Sequence, residues 1–321
     1  VTGLDSLPDL LAPRPLGRTG LTVPGICVGT SSLGNMPDLY RYEVGTDQAL
    51  ATLREVFASP FTFVDTSNNY GGGESERRIG AALAETGGRA PGMVLATKVD
   101  PLPDSADFSG ARVRDSVAES GQRLGLDHFQ LVYLHDPERI TFAEATAPDG
   151  PLAALVALKN EGVIDHLGVA GGPIDMTLRF VDLGVFDVAI THNRWTLVDT
   201  SAEPLLARAA AGEIAVVNGA PYGGGILVKG PKVQPDYAYR PASAATLARV
   251  QAMEDACDTY EVPLAAAALQ FSLRDPRIAS TIVGISAPGR VQQTLDLAAH
   301  PIPDELWDAL APIIAEGLPG V

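Results

Sequence analysis

Short apolar runs recur along this chain, separated by stretches in which apolar residues return at every third or fourth position. The runs predict strands at Ile26 to Gly29, Thr62 to Asp65, Met93 to Lys98, Phe129 to His135, Ile164 to Val169, Val185 to Ile190, Ile214 to Val217 and Ser280 to Val283. Between them, segments such as GTDQALATLREVFAS, ESERRIGAALAETG, SGARVRDSVAESGQRLG, LAALVALKNEG and SAEPLLARAAAG carry the i, i+3, i+4, i+7 pattern of helices with one buried face. Strands that are apolar on both faces and alternate with helices imply a parallel sheet covered by those helices. Eight such units predict an α/β fold closed as a (β/α)8 TIM barrel, one domain over residues 1–321. A doubly wound open sheet is the rival, but it announces its nucleotide site with G-x-G-x-x-G after the first strand, and GTSSLG after Val28 does not fit.

Before the first strand, LGRTGLTV within Pro15 to Val23 reads as a β-hairpin capping the barrel floor, preceded by a flexible arm at residues 1–13. Four longer connections, 31–45, 100–108, 138–150 and 227–241, follow strand ends. In a barrel these loops build the mouth where chemistry is done.

Composition narrows the partners. The 321 residues are 46% hydrophobic with a net charge of −16. No basic stripe is present to neutralise phosphates, so nucleic acid and anionic membranes are excluded as partners and a small molecule is expected. No apolar run reaches the roughly 18 residues of a membrane span, and VTGLDSLPDLLAPR lacks the basic start and long apolar core of a signal peptide. Cys27 and Cys257 show no metal-ligand spacing and read as buried thiols in a reducing compartment, so no metal and a cytoplasmic location are expected. Oligomeric state has no signature in the sequence.

The chemistry concentrates where strands end. TFVDTSNNYGGGES sets Asp65 and Tyr70 five residues apart as an apolar run opens into a glycine-rich turn, MVLATK closes on Lys98, and FQLVYLH closes on His135. Taken singly, an Asp or Lys at a strand end is a cap or an ion pair, Tyr70 a turn aromatic and His135 a core histidine. As a set they can exchange a proton with a reacting oxygen: a phenol with an ordinary pKa of about 10 becomes useful near neutrality beside a cation. Lys98 can be that cation, Asp65 can hold the ammonium, and His135 can hydrogen-bond the reacting oxygen.

The set and its surroundings resemble the aldo-keto reductases, (β/α)8 barrels that reduce carbonyls or oxidise alcohols with a nicotinamide cofactor. The resemblance runs through PLGRTGLTVPGICVGTSSLG, DTSNNYGGGESERRIG, GLDHFQLVYLHDPE and STIVGISAPGRV. Within the family, YLHDPE, RWTLVDTSAEPLL and VPLAAAALQFSLRDPRIASTIVG are most similar to the aldose 1-dehydrogenases and their pyridoxal and galactose dehydrogenase relatives. It implies that Asp65, Tyr70, Lys98 and His135 are the catalytic tetrad, with Tyr70 as general acid/base. Trp195, at a predicted strand end, reads as a third substrate contact beside Tyr70 and His135, because its ring suits stacking on a sugar.

For the cofactor, NAD or NADP, the resemblance implies contacts from Gly29, Thr30 and Asp65, from Ala170 and His192 near the nicotinamide, and from Ala220, Tyr222, Gly223 and Gly225 in GAPYGGGIL along the pyrophosphate. Ala170-Gly171 stands where much of the family has Ser-Asn, and Gly219 where an aromatic commonly stacks. After the last strand, Gly284, Ser286, Arg290, Gln293 and Thr294 are the adenosine candidates. Gly284 replaces a lysine of some NADP-preferring relatives, which leans the choice to NAD. The resulting reading is an NAD(P)-dependent oxidoreductase that takes aldose C1 to a lactone. Its alternatives are an NADPH-dependent aldehyde or ketone reductase and, in another class, a cofactor-bound regulatory or sensor protein.

Overall fold

The computed structural model describes residues 11–318 except 103, 104 and 106. Two short strands, β1 (Arg14–Pro15) and β2 (Thr22–Val23), pair antiparallel as the expected hairpin. The strands β3 (Ile26–Gly29), β4 (Phe63–Asp65), β5 (Val94–Val99), β6 (Phe129–His135), β7 (Ile164–Ala170), β8 (Val188–His192) and β9 (Ala215–Gly219) follow. A second small hairpin, β10 (Asp236–Tyr237) with β11 (Arg240–Pro241), precedes β12 (Ile278–Gly284). The eight long strands are all parallel and close in the order β12-β3-β4-β5-β6-β7-β8-β9. The barrel read from the sequence is therefore the fold. Of the expected arm, residues 1–10 lie outside the described residues, while Leu11 is buried in the outer core.

One strand is displaced from its expected position. β8 begins at Val188 and runs to His192, because Asp187 is tied at the floor by Arg18 at 2.9 Å and Lys159 at 3.1 Å, and Phe186 packs edge-on against Phe180. Arg18 also donates to the carbonyls of Gly184 and Phe186, and Arg14 to that of Ile278. The hairpin is thus riveted across the strand starts, with Leu16 and Val23 plugging the interior.

Side-chain alternation sorts each strand into an interior row and a row under the helices. Phe63, Ala96, Leu131, Tyr133, Ala170, Ile190 and Val217 fill the interior, while Val64, Leu95, Val132 and Leu134 face the helix layer. The same period of two puts Asp65, Lys98 and His135 on the interior row, one step above Phe63, Ala96 and Tyr133. Being the last inward residues of their strands, they emerge at the mouth. Cys27 and Cys257 are both free and buried.

Helices Glu74–Thr86 and Gly110–Leu124 approach so closely that a Cβ on Gly80 would stand 2.0 Å from the carbonyl oxygen of Arg123. That collision is with backbone and cannot be relieved by turning a side chain. Gly80→Ala gains about 1 kcal/mol of helix propensity, but overpacking costs typically about 1–3 kcal/mol, and forcing two backbones apart belongs at the upper end. The variant is expected to unfold at lower urea concentration than the parent; an equal or higher midpoint would mean that the two helices separate freely.

Candidate active site

Lys98 is 2% exposed, and its ammonium donates to Asp65 Oδ2 at 2.5 Å, to the carbonyl of Thr66 at 2.7 Å and to Tyr70 Oη at 3.0 Å. His135 stands on the other side of the phenol, its ring edge-on to Tyr70 with centroids 5.9 Å apart. The four residues picked out from sequence therefore converge at the mouth, although β4, β5, β6 and the turn after β4 deliver them separately.

The turn that carries Tyr70 is bolted to the helix layer. Asn68 donates to the carbonyl of Ser116 and to Glu119 and Ser120, and accepts from Arg112 at 2.9 Å. Arg123 donates to the carbonyl of Asn68 at 2.8 Å and to the buried Glu76, which in turn accepts from Thr97 on β5. Gly71, at φ +62°, lies against Gly34 so tightly that a Cβ would sit 1.9 Å from that residue's carbonyl oxygen. A side chain at either glycine would push Tyr70 out of reach of Lys98.

Charge at the mouth is mostly negative. Burial pushes the Asp65 carboxyl up, against the pull of Lys98. The Tyr70 phenol is held well above its ordinary value, by burial first and then by Asp65, Tyr40, Asp100 and Asp136. Burial and the surrounding carboxylates thus keep the proton on the Tyr70 phenol, with the Lys98 ammonium in contact with both Tyr70 and Asp65. Burial would lower His135, but Asp100 at 2.7 Å from Nδ1, helped by Asp136, outweighs it and raises the imidazole above its ordinary value. His192 goes the other way, lowered by burial.

The cofactor candidates divide. Thr30 is buried with its hydroxyl donating to the carbonyl of Asp65 and accepting from Ser75, and Gly29 faces Ile282, where a Cβ would sit 2.7 Å away. Both join β3 to its neighbours, and the Thr30 hydroxyl is engaged by Asp65 and Ser75. Ala170 and His192 end β7 and β8, and Gly219 ends β9 beside His192. In the following turn the N–H groups of Gly223 and Gly225 bond to the carbonyls of Ala220 and Tyr222, so they are spent inside the turn. What does fit an oxygen-rich ligand is the buried Tyr222 hydroxyl, which has no partner and feels the charge of Arg290. Gly284 opens onto free space, Ser286 gives its carbonyl to Gln48, Arg290 and Gln293 bond each other at the exposed start of helix Arg290–Ala299, and the Thr294 hydroxyl is turned back onto the carbonyl of Arg290. With its hydrogen given to its own i−4 carbonyl, as is common for a helical Thr, the Thr294 hydroxyl is left to accept.

Trp195 is also placed differently from the expectation. Left-handed Asn193, φ +58°, swings the chain outward after β8, and the Trp195 ring packs 5.6 Å from Phe271 and under Arg277 in the layer outside the barrel. The aromatics at the mouth are Tyr40, Tyr42 and Tyr239. Tyr40 lies 5.8 Å from Tyr42 and 6.2 Å from Tyr239, its hydroxyl 2.6 Å from Ser31, and Arg41 clasps Asp236 at 2.7 Å across the two loops. Sequence reasoning missed these, and missed Asp100; the available signal was that DLYRY, Asp100 and DYAYR lie in connections assigned to the mouth.

Among the described residues, no group of three or more His, Cys, Asp or Glu side chains could hold a metal, and no helix is long and apolar enough to cross a membrane. Comparison with known proteins gives a consistent picture. D-threo-aldose 1-dehydrogenase of a Pseudomonas species is 32% identical, covering 91% of this chain and 94% of its own. Pyridoxal 4-dehydrogenase of Microbacterium luteolum is 31% identical over 95% and 97%, and L-galactose dehydrogenase of Arabidopsis thaliana 32% identical over 88% and 86%. A holo-form aldo-keto reductase from Bacillus halodurans shares the fold with a TM-score of 0.76 at 22% identity, covering 94% of this chain and 96% of that one. Because residues 25–315 match the model described as Aldo/keto reductase family, the chain belongs to the aldo/keto reductases and is an NAD(P)-dependent oxidoreductase.

Proposed function

We propose that this enzyme oxidises the C1 hydroxyl of an aldose to the lactone, with Tyr70 as the group that exchanges a proton with the reacting oxygen. The contact that carries the reading is Lys98 joined at once to Asp65 and Tyr70. In the oxidative direction the Tyr70 phenol would first release its own proton to solvent, and its oxygen would then take the hydroxyl proton as the C1 hydrogen departs as hydride and C1–O becomes C=O. His135 hydrogen-bonds the same oxygen. When bound, the oxidised cofactor would supply the hydride acceptor and a positive charge that favours the phenolate.

Two further observations support a sugar. The tyrosines at the mouth offer flat apolar faces with hydroxyl edges, the combination a polyol stacks on, and relatives named for D-threo-aldose and L-galactose are each 32% identical to this chain. The second reading, carbonyl reduction, is favoured by the protonated resting state of Tyr70. Assaying aldoses, pyridoxal and nonpolar aldehydes in both directions, by absorbance of the reduced nicotinamide, separates them: turnover of nonpolar aldehydes without any sugar oxidation would sink the aldose reading.

Tyr70→Phe keeps the ring but loses the exchangeable proton. Turnover is expected to fall by at least about a hundredfold, the low end of acid/base contributions, while cofactor binding, followed by titration calorimetry, stays within about twofold of the parent. Near-parental turnover would remove Tyr70 from the chemistry.

For the cofactor we propose NAD used at least as well as NADP. At the candidate adenosine pocket Arg290 carries a positive charge and Gly284 adds none, while Glu55 of helix Thr46–Phe57 accepts from the Gly289 N–H at 2.7 Å. That carboxylate stands where a helix start would otherwise welcome a phosphate. Glu55→Gln is expected to tighten NADP relative to NAD by about three- to tenfold in calorimetric titrations, roughly 0.7–1.4 kcal/mol, and Arg290→Ala to weaken NADP more than NAD. Equal response of the two cofactors to both changes would place the 2′-phosphate elsewhere.

A further inference from the structure

Asp100 lies two residues beyond Lys98, on the inward side of the chain leaving β5, and is 1% exposed. One of its carboxylate oxygens, Oδ2, accepts from the Ser67 hydroxyl and from the Asn69 N–H at 3.1 Å. The other, Oδ1, stands 2.7 Å from His135 Nδ1. A carboxylate pinned by two donors on one oxygen cannot rotate away from the ring. Because Asp100 rests ionised, with His135 and Ser67 outweighing its burial, Oδ1 can only accept, so the proton of that contact belongs to Nδ1. Ser67 Oγ is also 3.2 Å from Nδ1, yet its own hydrogen is given to Asp100.

We propose that Asp100 is the positioning residue for His135: by taking the Nδ1 proton it fixes the ring's orientation and tautomer, leaving Nε2 for the reacting oxygen, and its charge favours the imidazolium form in which Nε2 donates. This rests on the reading of His135 as a partner of that oxygen. The groups facing His135 from the elements around it are Asp65 on β4, Tyr70 on the following turn, Lys98 and Asp100 on and after β5, its own neighbour Asp136, and His192 on β8. Lys98 and burial oppose the imidazolium, Asp100 and Asp136 favour it, and Asp100 is the carboxylate in hydrogen-bond contact, since Asp136 Oδ1 lies 3.5 Å from Nε2. A carboxylate that fixes a histidine's tautomer and steadies its cation is a known device of acid/base sites.

Asp100→Asn preserves shape and inverts the logic. The Asn oxygen can still accept from Ser67 and Asn69, which turns its NH2 toward Nδ1 and demands a lone pair there. Nitrogen-15 and carbon-13 spectra of histidine-labelled whole protein, assigned with a His135→Gln variant, read both properties without substrate. The parent is expected to carry the proton on Nδ1 and to titrate above the ordinary histidine value of about 6.5. Asp100→Asn should move the proton to Nε2 and lower the midpoint by about 1–2 pH units, the usual effect of losing a close opposite charge. The alkaline limb of the rate–pH profile for carbonyl reduction should move down by the same amount. An unchanged midpoint and limb in the variant would overturn the proposal. If Asp100→Asn does not fold, the parent spectrum decides alone, and a neutral ring protonated on Nε2 or a midpoint below about 6.5 overturns it. Failure here leaves the role of Tyr70 intact, whereas parental turnover of Tyr70→Phe would overturn that role without altering the His135 spectrum.

Discussion

The ammonium of Lys98, buried inside the top of the barrel, is the constraint on which the rest of the site depends. An isolated charge there costs several kcal/mol even after relaxation, so it persists only with its donors satisfied. All three acceptors, Asp65, the Thr66 carbonyl and Tyr70, come from one six-residue stretch at the end of β4. β4 and β5 are therefore locked together at the mouth by more than their ladder, and the position of the Tyr70 hydroxyl is set to hydrogen-bond accuracy by a residue on the neighbouring strand. Removing either charge would leave the other buried and unmatched.

A lock of that kind holds only if the turn cannot drift, and the helix layer supplies the anchorage. Arg112, Glu119 and Arg123 of one helix and Glu76 of another reach inward to Asn68 and Thr97, forming a polar layer between the sheet and its helices. Each member has a charged or backbone partner, as a polar layer in a dry place requires. The close backbone crossing at Gly34 and Gly71 completes the turn. Rigid placement of a polar group by neighbours that are themselves held is what allows a reacting atom to be met without reorganisation.

The electrostatic character of the mouth follows from the same crowding. Asp65, Asp100 and Asp136 gather around Tyr70 and His135; burial and their field keep the proton on Tyr70, while on His135 Asp100 and Asp136 overcome the opposing effect of burial. The carboxylates thus divide their work: one neutralises the ammonium, another is spent on a histidine, and both shift the groups between them. Beside this polar floor, Tyr40, Tyr42 and Tyr239 bring an aromatic wall from two loops that Arg41 and Asp236 hold together.

The architecture was legible because it rests on local periodicity. Apolar strand runs alternating with amphipathic helices imply the closed parallel barrel, and the period of two that buries Phe63, Ala96 and Tyr133 puts Asp65, Lys98 and His135 at the strand ends on the interior row. Their convergence with Tyr70 needed only that the strands close in order. What tertiary structure decided depends on contacts between residues far apart in sequence or on a single backbone angle. The left-handed Asn193 sends Trp195 outward to Phe271, although its ring and its place after a strand end suggest a pocket wall, and the ties of Asp187 to Arg18 and Lys159 delay the start of β8. Asp100 gains its meaning from Ser67 and His135, 33 and 35 residues away, and Tyr70 keeps its proton because of burial and the carboxylates the fold gathers about it. A sequence states which groups a strand delivers to the mouth; which proton each one keeps is a sum over charges and burial that exists only once the chain has folded.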